Sequence, residues 1–177
     1  MASEQPIDFR QGTGEDTTLE TATVDVVVCA QSFHWFDAAA ALNEFHRILR
    51  RSPGRLALMW NVRDDDDAFT AEYGEVCKRA QHDARNDGTI VRQDHHGDPT
   101  IGGWFDHVTK ESFSNAQFMD LAGILGRVRS ASYFPKAGPL RTELEALLQR
   151  SFDRHQRDGK IALRYRAEFT TAIRIDA

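Results

Sequence analysis

Residues 24–30 read V-D-V-V-V-C-A, a β-branched run with little alternation. Such a run predicts a strand buried on both faces. Asp37 then precedes A-A-A-A-L-N-E-F-H-R-I-L-R-R, where Leu42, Phe45, Ile48 and Leu49 fall at helical spacing. Asp37 suits the N-cap, because its carboxylate can accept a free backbone N–H of the first turn. Arg47, Arg50 and Arg51 would occupy the last turn, where the helix dipole favours positive charge, and Ser52-Pro53-Gly54 would stop the helix. Residues 56–60, L-A-L-M-W, form a second apolar run. Strand, helix and strand within about 35 residues predict a βαβ unit with parallel pairing.

Downstream, four aspartates, Asp64 to Asp67, read as a solvated loop or a helix-start cluster. Phe69, Tyr73, Val76, Cys77 and Ala80 then line one face of a predicted helix. Residues 85–103 are polar and glycine-rich and predict a long loop. A strand is expected over 104–113 and a short helix over 118–125. Gly138-Pro139 introduces a further helix with Leu140, Leu144, Leu147, Leu148 and Phe152 on one face, ended by Gly159. Last, Ile161, Leu163, Tyr165, Ala167 and Phe169 alternate with Ala162, Arg164, Arg166, Glu168 and Thr170. That period of two predicts a strand with one dry face, antiparallel and at or near an edge. The expected fold is α/β, a mostly parallel sheet with an antiparallel strand near its end.

Composition adds bounds. The chain has 177 residues, which suits one domain spanning residues 1–177. Lys plus Arg number 22 against 27 Asp plus Glu, for a net charge of −5. This balance argues against nucleic acid or an anionic membrane as partner, since both select a basic face. No window approaches the roughly 18 apolar residues of a membrane span. Two cysteines make neither a disulfide framework nor a metal ligand set, and residues 1–5 show no basic start leading into an apolar stretch. A cytoplasmic location is expected.

In open α/β sheets, ligands bind beyond the carboxyl ends of strands. Gln31, Ser32, Phe33, His34 and Trp35 would lie there. They offer hydrogen bonds, an imidazole that titrates near neutrality, and aromatic faces. His95-His96, flanked by Asp94 and Asp98, superficially suggests a metal cluster, but adjacent histidines point apart and no third ligand is fixed. No metal site is expected.

The stretch D-V-V-V-C-A-Q-S-F-H-W-F-D at 25–37, followed by N-E-F-H-R-I-L-R-R-S-P-G-R-L-A-L-M-W at 43–60, resembles the class I S-adenosylmethionine-dependent methyltransferases, most closely their small-molecule branch. The likeness is specific over residues 25–61. It continues more loosely through G-W-F at 103–105 and S-A-S-Y at 130–133. It implies a Rossmann-like sheet, S-adenosyl-L-methionine as cofactor and a small-molecule methyl acceptor. Upstream, Gly12-Thr13-Gly14-Glu15-Asp16 invites comparison with the family's glycine-rich cofactor loop. Asp25 follows Glu15 by only ten residues, too few for the two βα units that separate that loop from this strand in the family. The offset suits the acidic loop after the family's third strand, with residues 7–9 as that strand and Gly14, Glu15 and Asp16 on the adenine side. The resemblance thus implies a partial domain, N-terminally truncated and without the glycine-rich motif. The sheet of such a domain would have an open edge, to be covered by a homodimer partner or a complementing chain.

What the resemblance implies for single residues is as follows. Cofactor contacts fall to Gly14, Glu15, Asp16, Ala30, Gln31, Ser32 and Trp35. His34 is the candidate catalytic base for a hydroxyl or amine acceptor; a cofactor-wall contact and a structural role are open to it as well. Trp60 and Asn61 sit where acceptors bind in the family. Arg63 could grip a substrate carboxylate bidentately, or serve as a surface arginine. The rival to the enzyme is a non-catalytic module for binding or dimerisation.

Overall fold

The computed structural model describes residues 7–51, 53–86 and 101–176. Its elements in chain order are β1 (Val26–Ala30), a 3-10 turn (Phe33–Trp35), α1 (Ala38–Ile48), β2 (Arg55–Arg63), α2 (Ala68–Asn86), β3 (Phe105–Met119), α3 (Leu121–Ser130), α4 (Pro139–His155) and β4 (Ile161–Arg174). The strands form one sheet in the order β1-β2-β4-β3. β1 and β2 are parallel, with Val26 opposite Arg55 and Ala30 opposite Met59, as the βαβ pattern predicts. β4 runs antiparallel to β2: Asp64 N–H donates to Arg164 O, and Arg174 N–H donates to Gly54 O. β4 lies inside the sheet, one strand from its end, and β3 takes the edge.

The chain packs as two units. Unit one comprises Met1–Met59, Gln93–Lys110 and Phe169–Ala177. Asp37 caps α1 as anticipated, its carboxylate accepting from Ala40 N at 2.9 Å. Leu42, Phe45 and Ile48 are buried from α1, with Leu56 and Leu58 from β2. The helix ends earlier than its charge pattern suggests. Leu49 turns extended and pairs with Val24 in a parallel bridge. Arg50 and Arg51 therefore leave the helix, and Arg50 pairs with Asp25 instead, at 2.7 Å. Gly54 is required by close approach. A β-carbon there would stand 2.4 Å from the Arg50 carbonyl oxygen.

Two expectations are corrected in this unit. β1 is not buried on both faces: Cys29 is covered, but Val26 and Val28 are 47% and 56% exposed, because the face they share is left uncovered. Residues 7–9 form no strand, and Ile7 and Phe9 are exposed. Neither side chain has the burial that would make a three-residue segment worth pairing.

Unit two comprises Trp60–Arg92 and Glu111–Glu168. Its core joins Phe69, Tyr73, Val76, Cys77 and Ala80 of α2 to Ile124 and Val128 of α3 and Leu144, Leu148 and Phe152 of α4, with Ile161, Leu163 and Tyr165 of β4 closing it. The alternation seen in the last strand thus marks the dry face. A carboxylate ties two helices here. Glu72 of α2 accepts from Ser151 Oγ and from Arg154 at 2.6 Å on α4. Phe118 and Met119 belong to β3 rather than to a helix, because α3 starts only where Asp120 caps Gly123 N at 2.8 Å. α4 opens at Gly138 (φ 94°) with Pro139 in its first turn and stops at His155; Gly159 (φ 72°) serves the turn bridged by Arg157 and Lys160. Of the loop expected over 85–103, Arg85 and Asn86 extend α2 and residues 101–104 form a turn, while 87–100 lie outside the described residues. So do His95 and His96.

Candidate functional site

An open cleft of about 550 Å³ lies in unit one where β1 ends. Gln31 ends the strand in a left-handed conformation (φ 55°), its N–H donating to Met59 O at 2.9 Å. That reversal leads into the 3-10 turn, which sends successive side chains in different directions. Phe33 and His34 go inward, while Trp35 remains 57% exposed. Phe36 packs edge-on against both Phe33 and Phe45, with ring centroids 6.1 and 6.2 Å apart.

The opposite wall comes from residues 12–15, far away in sequence from the turn. Glu15 accepts from Asp37 N at 2.8 Å, joining this segment to the start of α1. Gly14 lies flat on Phe36, where a β-carbon would meet the ring at 2.7 Å. The rest of the segment is held by Glu44. Its Oε1 accepts from Thr17 N (2.9 Å) and Thr17 Oγ1 (2.6 Å) while Arg47 closes on both carboxylate oxygens at 2.7 and 2.8 Å. Arg47 also donates to Leu19 O and Thr21 Oγ1. The Glu44 side chain is only 8% exposed, so the pair is a buried clasp on its acidic side. The Arg47 hydrogen bonds hold the Glu44 carboxyl at a pKa of about 2, with Thr17 adding to the effect and burial opposing it.

Of the cofactor contacts expected from the sequence, Gly14, Glu15, Ser32 and Trp35 line this cleft together. Asp16, Ala30 and Gln31 do not line it. Asp16 folds back on its own turn, accepting from Thr18 N at 3.2 Å. The lining also includes Gly12, Thr13, Val27, Val28, Cys29, Phe36 and Phe45. Phe36 belongs to the aromatic turn but was not among the expected contacts; Phe45 reads from sequence only as a core position. His34 is buried behind the lining, its ring 4.8 Å from that of Trp35 and tilted by 45°. Burial pushes the Cys29 thiol up to about 11, partly offset by a hydrogen bond with Ser32.

The expected acceptor residues lie in unit two. Alternation along β2 puts Asn61 and Arg63 on one face and Trp60 on the other. Asn115 of β3 donates to Asn61 Oδ1 at 3.2 Å. Among the described residues, no group of His, Cys, Asp or Glu is placed to hold a metal ion. None of the described helices is long and apolar enough to cross a membrane.

Comparison with known proteins bears on the same segment. Residues 1–58 match the family model described as a methyltransferase domain. A methyltransferase-like protein of Schizosaccharomyces pombe, itself uncharacterized, is 38% identical over 78 residues, 44% of this chain and 30% of that protein. An uncharacterized methyltransferase of Mycobacterium bovis is 40% identical over 79 residues, 45% of this chain and 32% of that protein. The matched stretch thus spans about a third of the length of these relatives. Among solved structures, a provisionally assigned methyltransferase from Bacillus halodurans superposes with a TM-score of 0.54 at 18% identity, covering 97% of this chain and 73% of that one. A provisionally assigned type II methyltransferase from Anaeromyxobacter dehalogenans gives 0.52 at 22%, covering 92% and 68%. Residues 1–58 thus match a methyltransferase domain, and the described strands and helices share the Rossmann-like α/β fold of these two solved structures.

Proposed function

We propose that the protein takes part in S-adenosyl-L-methionine-dependent methyl transfer to a small-molecule acceptor, with the cofactor in the cleft of unit one. The observation that carries this reading is the convergence of Gly14, Glu15, Ser32 and Trp35, from two segments distant in sequence, on one cleft. Its volume falls within the range of small-molecule sites, roughly 300–1,000 Å³. The donor set also fits the group. Trp35 offers a π face to a cationic sulfonium, Ser32 a hydroxyl, and the Gly12–Gly14 backbone a close approach. When bound, the cofactor supplies an already activated methyl group. The chain's part is to orient it and exclude water. Asp16, Ala30 and Gln31 keep a supporting place, shaping the two turns that bear the contacts. The packing of His34 behind Trp35 supports a wall-building role over proton transfer. Trp60, Asn61 and Arg63 are the acceptor-side residues of this reading.

Calorimetry with S-adenosyl-L-methionine and S-adenosylhomocysteine tests it. Binding is expected, weakened about tenfold by Trp35→Ala through loss of the cation–π face. No heat at millimolar cofactor would refute binding by this chain.

A second reading, of a binding or dimerisation module, is favoured by the outer edge of β1. Asp25 O and Gln31 N bond to β2, so the backbone groups of Val26, Val28 and Ala30 point to the open side. Such an edge can take a strand from a second copy or a complementing chain. Concentration-dependent mass measurement decides between these, and a strict monomer that captures no complementing segment would exclude both. Neither nucleic acid nor membrane enters either reading, and a cytoplasmic setting fits both.

A further inference from the structure

Unit two holds two arginines that no carboxylate among the described residues pairs with. The bond from Asp64 N to Arg164 O fixes the antiparallel register of β2 and β4 here. Arg63 therefore lies directly opposite Tyr165, and Asn61 opposite Ala167. Side chains of directly opposed residues share a face with β-carbons about 4.5–5.5 Å apart. From α3, Arg127 lays its guanidinium over the same phenol, 5.3 Å from the ring centroid. Tyr165 is buried, and the charges of both Arg127 and Arg63 act on its phenol. On α2, Gly74 borders the Arg63 side chain: a β-carbon there would stand 3.5 Å from its Nε, an ordinary contact.

Two of the surrounding acids are engaged elsewhere. Asp64 pairs with Arg166 at 3.1 Å and Asp67 with Arg164 at 3.4 Å. Asp65 approaches the same glycine but is exposed and makes no ion pair with Arg63. Among the described residues, neither Arg63 nor Arg127 lies within 4.0 Å of a carboxylate oxygen. Guanidiniums near one phenol offer planar donors of the kind that pair with a carboxylate, and Asn61, oriented by Asn115, adds a neutral hydrogen-bonding edge on the face that Arg63 shares.

We propose that Arg63 and Arg127, positioned by Tyr165, form a receptor for the carboxylate of a small organic acid. The ligand's identity as methyl acceptor rests on the methyl-transfer reading; its binding does not. The test is calorimetry and thermal-shift measurement on the full chain with acetate, benzoate and succinate, against succinamide and inorganic phosphate. At least one carboxylate is expected to bind and to raise Tm, succinamide is not, and phosphate is expected to be weaker. Arg63→Gln and Arg127→Gln should each weaken the carboxylate about tenfold, and Arg63→Lys should retain part of the affinity. Far-UV circular dichroism checks that each variant folds, and the Lys variant keeps the test decisive if a Gln variant does not.

The proposal falls if no carboxylate binds at millimolar concentration, if the double variant binds as the wild type does, or if phosphate binds equally well. A parallel titration with S-adenosyl-L-methionine separates the two claims. Carboxylate binding without cofactor binding sinks methyl transfer and leaves the receptor, and the converse sinks the receptor alone.

Discussion

Replacing Glu44 by glutamine removes one negative charge and leaves nearly the same shape. In the native protein that carboxylate gathers Thr17 and Arg47 around itself, and through them Leu19 and Thr21. Its pKa falls from an ordinary 4.5 to about 2. A carboxyl lowered in the folded state contributes stability that is present above its unfolded value and lost as pH falls toward its folded one. At about 1.4 kcal/mol per pH unit, the ceiling is roughly 3 kcal/mol. Arg47 is 37% exposed, so solvent screens the pair and about 1–2 kcal/mol is the expected share. Urea unfolding of wild type and Glu44→Gln at pH 7 should therefore differ by that amount. The gap should close between about pH 4.5 and 2, and shrink in high salt. The same substitution loosens the segment that carries Gly12 to Glu15, so any affinity for the proposed cofactor should drop along with stability. Equal midpoints at pH 7, or a gap that stays constant down to pH 2, would refute the clasp.

Three other perturbations have definite outcomes. Gly54→Ala drives a β-carbon to within 2.4 Å of the Arg50 carbonyl oxygen, and calorimetric melting should show a loss of roughly 1–3 kcal/mol; an unchanged Tm would contradict the close approach. Ser151→Ala deletes a buried donor to Glu72 and should cost about 1–2 kcal/mol in urea unfolding, whereas a loss under half of that would mean Arg154 and His155 satisfy the carboxylate alone. Cys29 is 4% exposed with a thiol pKa of about 11, so at pH 8 a disulfide reagent should leave it unmodified until the protein unfolds; rapid labelling of Cys29, mapped by mass spectrometry, would show the cleft opening more than this structure does.

Period and capping chemistry are local properties, and they were legible. The βαβ unit, the Asp37 cap, the apolar face of α2 and the alternating strand over Ile161 to Phe169 all follow from neighbours within a few residues. The aromatic turn was legible too, and it places Ser32 and Trp35 at the cleft. What the local pattern could not decide was which strand lies outermost. V-D-V-V-V-C-A reads as doubly buried, yet Val26 and Val28 are exposed, because burial depends on what packs against a strand and not on its own residues. Nor could it end α1. A bridge between Val24 and Leu49, 25 residues apart, outcompetes one more helical turn and takes Arg50 to Asp25.

The site follows the same division. Residue types in the turn announced hydrogen bonds and π faces. Only the folded chain brings Gly14 and Glu15 against them, because Glu44 and Arg47 clasp residues 17–21 to a helix more than twenty positions away. The pairing of Arg63 with Tyr165 is of that kind as well. It exists through a strand register set between β2 and β4, a long-range contact whose free energy belongs to the assembled sheet and is invisible to any window of sequence.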